Sequence, residues 1–199
     1  DRMRGYLVAS LKMTPLMPTI VEARDAVLAA AAAKDSVDFA LFSQAFAKRG
    51  LGMKAVAPGR DSQSNGPVIE SFISGNDLSI VAVKLDDSIT SCDNDGILDN
   101  NETGKIAITV KNVGTGPLAA STATVTSGPP AATLANGGMV TFPTIPPFGV
   151  ATAFVGVALK DAAGNSGVTF GVSVNDPSFA VPGPVTLTEA ARPTLERFA

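Results

Sequence analysis

The spacing of apolar residues changes once along this chain of 199 residues, and that change limits what it can fold into. Before residue 57 apolar side chains recur every three or four positions, as on a helix face. From Leu78 they alternate, as on a half-buried strand. The helical part is clearest at Thr19 and Glu22, a Thr-x-x-Glu capping box in which each side chain satisfies an orphan amide of the first turn. Ile20, Val21, Val27 and Leu28 follow at helical spacing, which predicts a helix from Ile20 to about Ala33. Lys34-Asp35-Ser36 makes a turn, and Phe39, Leu41, Phe42, Ala45 and Phe46 give the next helix a broad apolar face. That helix ends at Arg49, where Lys48-Arg49 complements the C-terminal dipole and Gly50 supplies a left-handed residue. Upstream, Met3, Tyr6, Leu7, Ser10 and Leu11 form one stripe of an uncapped helix within residues 1–13. Three helices in so short a piece cannot bury enough surface to be stable alone, so this part requires a partner.

Residues 58–77 are rich in Pro, Gly, Ser and Asn, with only Val68 to Ile73 able to pack, and read as a linker. Beyond it, Ile106, Ile108 and Val110 point one way while Lys105, Thr109 and Lys111 point the other. Further strands are predicted at 78–85, 119–127, 139–142, 152–159, 167–175 and 185–187, separated by turns such as Asn112-Val113-Gly114, Gly128-Pro129-Pro130 and Asn136-Gly137-Gly138. Short strands with such regular turn signals predict an antiparallel immunoglobulin-like β-sandwich over residues 78–188. With no Trp and no cysteine pair, it is not of the antibody type. Residues 189–199 carry no clear helix or strand signal and read as a tail. The expected class is therefore α+β and multidomain, a helical piece over 1–57 followed by an all-β sandwich.

An apolar share of 45% supports a packed core. Residues 1–60 hold nine Lys/Arg and five Asp/Glu, and residues 61–199 hold six and thirteen, a net +4 against −7 that supports a boundary near residue 60. The cations of the first part are scattered and the second part is acidic, so nothing favours nucleic acid as a partner. The longest apolar run, Ala26 to Ala33, is too short to span a membrane, and no hydrophobic targeting core follows Asp1-Arg2-Met3-Arg4. Both absences are expected of an internal or processed fragment. The lone Cys92 excludes an intrachain disulfide and is compatible with a secreted or a cytosolic protein.

Chemistry concentrates in Asp93-Asn94-Asp95-Gly96-Ile97-Leu98-Asp99-Asn100-Asn101-Glu102. Carboxylates from Asp93, Asp95, Asp99 and Glu102, around a loop turned sharply by Gly96, can wrap calcium, which takes about six to eight oxygens. The glycine comes too early for an EF-hand, and strands rather than helices flank the loop. The alternative is a solvated acidic turn. Asp86 and Asp87 are available as additional ligands but read first as ordinary surface acids, and Cys92 reads as no ligand, since calcium disfavours sulfur. The chain has no His, so it holds neither a catalytic zinc site nor a Ser-His-Asp or Cys-His centre. Asp86 and Asp87, adjacent at a strand end, point in opposite directions and make a poor acid/base pair.

The words Pro18-Thr19-Ile20-Val21-x-Ala23-Arg24-Asp25-Ala26 and Ala45-Phe46-Ala47-Lys48-Arg49-Gly50-Leu51-Gly52 resemble the C-terminal end of the fungalysin-type secreted zinc metallopeptidases, over roughly the first 55 residues. The resemblance implies that these helices close the helical half of a thermolysin-like catalytic domain. Fungal members carry cysteines where this chain has Leu16 and Ala40, so the resemblance implies a family disulfide replaced here by apolar residues at both ends. Two readings are open for Arg24 and Asp25, an internal ion pair or anchoring of the loop that carries the active site; structural anchoring is favoured, each finding its own partner, because neighbouring helix positions do not face one another. The string Thr109-Val110-Lys111-Asn112-Val113-Gly114-Thr115-Gly116, with Pro143-Thr144-Ile145-Pro146-Pro147, is similar to adhesion-type sandwich modules appended to bacterial secreted peptidases. Together these resemblances imply the C-terminal portion of a secreted, extracellular zinc metalloendopeptidase carrying a calcium-stabilised sandwich. Its catalytic residues and zinc would lie outside this chain, in the remainder of the catalytic domain, which acts on protein or peptide and is either a separate processed chain or absent here. The alternative is an extracellular adhesion or substrate-targeting binding module with no catalytic role.

Overall fold

Thr19 caps α2 (Ile20–Ala32) as its spacing predicts: the Thr19 hydroxyl accepts from the Glu22 amide at 3.2 Å, and the Glu22 carboxylate accepts from the Thr19 amide at 2.8 Å. Asp35 caps α3 (Ser36–Ala47) by accepting from the amides of Val37 and Asp38 at 2.8 and 3.2 Å. Ahead of both runs α1 (Arg2–Met13). The structure, a computed structural model, describes residues 1–90, 98, 101–128, 132–160 and 168–191. The chain divides into two compact units, one of residues 1–77 with 113–117 and 179–181, the other of residues 78–112, 118–178 and those from 182 onward.

In the first unit α2 packs against both α1 and α3, and Tyr6, Leu28, Ala31, Phe39 and Ala47 form its interior. The Tyr6 hydroxyl donates to Asp38 at 2.7 Å, Arg2 pairs with the same carboxylate, and the Tyr6 ring meets Phe42 edge-on at 5.6 Å between centroids. Gly50 closes the third helix at φ +80°. Residues 67–73 then lie back along 50–56: Ser71 donates to the Gly50 carbonyl, Gly52 donates to the Ser71 carbonyl, and Val56 and Ile69 exchange a pair of bonds at 2.9 and 3.0 Å.

The second unit is an immunoglobulin-like sandwich of two antiparallel sheets. One contains β1 (Leu78–Thr90), β2 (Thr103–Asn112), β6 (Val150–Ala158) and β4 (Thr133–Leu134), in that spatial order. The other contains β5 (Met139–Thr141), β3 (Thr122–Ser127), β7 (Val168–Asn175) and β8 (Val185–Ala191). The alternation written into residues 105–111 is realised: Ile106, Ile108 and Val110 are at most 1% exposed, and Val155 and Val157 of the same sheet, with Val125, Val172 and Val174 of the other, are buried as well. Asn112 is also interior, where its Nδ2 donates to the Ile145 carbonyl at 2.8 Å. Asn136, Gly137 and Gly138 all have positive φ, and a side chain on Gly138 would strike the Val125 carbonyl oxygen.

Three strands depart from the sequence expectation, β1 by running on to Thr90, five residues past the predicted end at Leu85. The short β4 pairs with the last two residues of β6 through Thr133↔Ala158 and Leu134↔Val157, too short a run for alternation to register. Strand β8 continues past Leu187 to Ala191, held by a ladder on β7 that runs from Val185↔Val174 to Ala191↔Val168. Backbone pairing, not side-chain pattern, makes Thr188 to Ala191 a strand.

Candidate functional site

The acidic loop leaves β1 and enters β2. Asp93, Asp95 and Asp99, like Cys92, lie outside the described residues, so the candidate site is defined by its two ends. At the exit, the Asn101 amide donates to the Leu159 carbonyl at 2.8 Å and the Leu159 amide donates to the Glu102 carbonyl at 3.2 Å. These bonds extend the β2–β6 ladder by one step beyond Thr103↔Ala158. Asn101 takes φ +72°, a left-handed conformation that asparagine tolerates better than most residues. The Glu102 side chain is carried inward and is only 3% exposed.

At the entrance, Asp86 is the half-exposed acid that its position suggested. It pairs with Lys105 at 3.2 Å and accepts from the Ser88 amide at 3.0 Å. Asp87 departs from expectation, since it is 3% exposed. The cause is strand phase: Leu85 lies opposite Ile106 and Val83 opposite Ile108, so the next residue of that parity also points inward. That parity was legible in the sequence. The two backbones also come close at this point, because a side chain on Gly104 would sit 2.5 Å from the Asp86 carbonyl oxygen. Two buried carboxylates thus flank the loop at its two ends. Among the described residues no group of three or more His, Cys, Asp or Glu is arranged to hold a metal ion.

A third buried acid lies elsewhere in the same unit. Asp176 accepts from the Ser121 and Ser178 hydroxyls at 2.8 and 2.6 Å and from the Ser178 and Ala120 amides. Burial alone would raise its carboxyl, but these donors outweigh burial and hold it below the ordinary carboxylate value.

In the helical unit Arg24 is 7% exposed. Its Nη1 donates to the carbonyls of Leu51 and Gly52 at 3.1 and 2.6 Å, and its Nε donates to Asp25 at 2.8 Å. Anchoring is therefore its structural role, as expected. The expectation that Arg24 and Asp25 take separate partners fails, because the long guanidinium folds back onto the neighbouring carboxylate. The α1 stripe is only half used: Tyr6 and Ser10 are buried, whereas Met3, Leu7 and Leu11 are 52%, 45% and 74% exposed. Leu16 and Met17, in the turn that follows, are 91% and 76% exposed. A groove beside the start of α2, lined by Thr19, Glu22 and residues 55–61, is bridged by the Arg60–Glu22 ion pair. No helix is long and apolar enough to cross a membrane among the described residues.

Residues 3–55 match the sequence model of the family Fungalysin metallopeptidase (M36), the same stretch whose words carried the resemblance. The match covers about a quarter of the chain. No curated protein matches it. Among solved structures, the CARDB domain of the PF1109 protein from Pyrococcus furiosus, determined in complex with di-metal ions, is similar at 13% identity and a TM-score of 0.35, over 59% of this chain and 91% of that one. AvmM, which catalyses macrocyclisation in alchivemycin A biosynthesis, is similar at 8% identity and TM-score 0.38, over 59% and 90%. A putative lipoprotein, ycdA, from Bacillus subtilis is similar at 17% and 0.34, over 60% and 38%.

The Asp86 carboxyl is lowered to about 2, by the Ser88 hydroxyl and amide first and by Lys105 next. A carboxyl held below its unfolded value near 3.8 stabilises the fold when ionised. That contribution is complete above about pH 4 and disappears as pH falls toward 2. Urea midpoints of the wild type and Asp86→Asn, compared at about pH 5 and about pH 2.5, should converge at the lower pH. Midpoints that fall in parallel would show that the Ser88 and Lys105 contacts do not stabilise the ionised form.

Proposed function

We propose that this chain is the C-terminal portion of a secreted zinc metalloendopeptidase of the fungalysin kind, with residues 1–57 completing the helical lobe of its catalytic domain. The match over residues 3–55 supports the lobe. The observation that carries the reading is the half-used stripe of α1, because Met3, Leu7 and Leu11 lie one above another on the helix and remain open to water. A helix surface of that kind is the inner side of a larger helical body. The catalytic zinc and its ligands belong to polypeptide outside this chain, since zinc requires imidazole, thiolate or carboxylate ligands in a set that a chain with no His and one Cys does not assemble in the family's manner. Secretion follows from the same reading, as does a protein or peptide substrate.

The sandwich, in this reading, is bound by calcium through Asp93, Asp95, Asp99 and Glu102. The position of Glu102 supports it, because it stands buried at the mouth of an acidic loop, and calcium takes its ligands from carboxylate and other oxygens. The further buried acid Asp87 adds a candidate ligand on the opposite strand.

Two outcomes follow. In the complete protein, replacing Leu7 and Leu11 by Glu should abolish peptide hydrolysis while leaving the thermal unfolding of the sandwich unchanged. Retained hydrolysis would remove α1 from the catalytic body. Calcium at about a hundred times its Kd should raise the Tm of the sandwich by several degrees, an effect on the order of 2.7 kcal/mol, and Asp95→Asn with Asp99→Asn should remove it. No response to calcium would leave the loop a solvated acidic turn.

A further inference from the structure

We propose that Asn101 is the acceptor of an asparagine-linked glycan. The chain holds nine asparagines, and Asn101 alone stands two residues before a Ser or Thr, in Asn101-Glu102-Thr103, with no proline between. The inference rests on the secretion read above, because the sugar donor and its transferase face the compartment into which secreted chains emerge. A triplet of this kind recurs by chance, but here the fold presents it.

Asn101 is exposed in the turn where the acidic loop becomes β2, and its side chain makes no hydrogen bond among the described residues. Thr103 has the parity of Lys105 and Lys111, the outward side of β2, and is half-exposed. Amide and hydroxyl are therefore both reached from solvent. Glu102, between them, is turned inward and is 3% exposed. The triplet hangs on the last bonds beside the β2–β6 ladder, Asn101 amide to Leu159 carbonyl and Leu159 amide to Glu102 carbonyl. A ladder opens most readily at its end, so this segment can leave the sheet locally to enter a transferase.

The co-reactant is an oligosaccharide carried on a polyprenyl diphosphate, and the catalyst is a membrane-bound oligosaccharyltransferase. A bond forms between Asn101 Nδ2 and the sugar C1 as the C1–O bond to the diphosphate breaks. The diphosphate leaves with the bonding electron pair, and the amide proton passes to a base of the transferase. Nothing is oxidised or reduced. The Thr103 hydroxyl supplies the recognition element two residues beyond the acceptor. The product sets a bulky polar group outside the turn while Glu102 stays inside, so a glycan and a cation held by the loop do not compete for that carboxylate.

The test is peptide mass spectrometry of the complete native protein, with fragmentation that locates the modified residue, alongside Asn101→Gln, Thr103→Ser and Thr103→Val made in the same source. The expected result is an added sugar mass on Asn101 that is lost in Asn101→Gln and in Thr103→Val, which keeps the β-branched shape but not the hydroxyl, and is retained in Thr103→Ser. Protein recovered outside the cell with Asn101 unmodified would overturn the proposal and leave the peptidase reading standing. A sugar found only on other residues, or one that survives Thr103→Val, would also overturn it. Unmodified protein confined to the cytoplasm would overturn secretion and the glycan together. Matching thermal unfolding of the variants separates a lost acceptor from a lost fold.

Discussion

The sandwich depends on β2. It is paired on both sides, with β1 from Leu78↔Asn112 to Thr90↔Thr103 across two register shifts and with β6 from Thr103↔Ala158 to Lys111↔Val150. A slip of one residue would bring Ile106, Ile108 and Val110 into water and turn Lys105, Thr109 and Lys111 into the core. Each of the three aliphatic side chains stabilises the buried state by about 1.5–3 kcal/mol, and an unpaired lysine in the core costs several more, so the register has no close competitor. The same alternation that builds the core leaves Lys105, Thr109 and Lys111 on the outside. At its start β2 carries Glu102 inward, and thus sets one end of the acidic loop.

In the helical unit a buried guanidinium plays the organising part. Arg24 would be costly inside without partners, and the carbonyls of Leu51 and Gly52 together with Asp25 satisfy it. This fixes the chain just beyond α3, against which residues 67–73 are then hydrogen-bonded. Nothing comparable covers the outward side of α1. Its apolar residues at Met3, Leu7 and Leu11 do not serve the interior that the structure shows, and they are what the peptidase reading explains.

Most of this was legible in the sequence where a short-range rule applied. The capping box at Thr19 set the start of α2 to the residue, Gly50 closed the third helix, and the 105–111 alternation gave both the buried and the exposed side of β2. What escaped came from long-range pairing. Strand β4 is two residues long and β8 borrows its last residues from the β7 ladder, and neither leaves a periodic trace. The α1 stripe was legible as apolar, but no local signal says which half of a stripe a small unit will cover. Asp87 could have been found by extending the parity of Val83 and Leu85 by two residues, and reading the pair Asp86-Asp87 as surface acids overlooked that phase. The pairing of Arg24 with Asp25 was legible only as the less favoured alternative, because facing rules concern Cβ directions, and a side chain as long as arginine can return to its neighbour.

The measurement that bears most directly on the peptidase reading is intact-mass spectrometry of the native protein, without denaturation, with metal analysis of the same preparation. The account predicts this chain held to further polypeptide that contains His and carries zinc, with calcium accompanying the sandwich. A lone 199-residue chain that binds calcium, holds no zinc and hydrolyses no peptide would contradict it and leave the sandwich as the functional part.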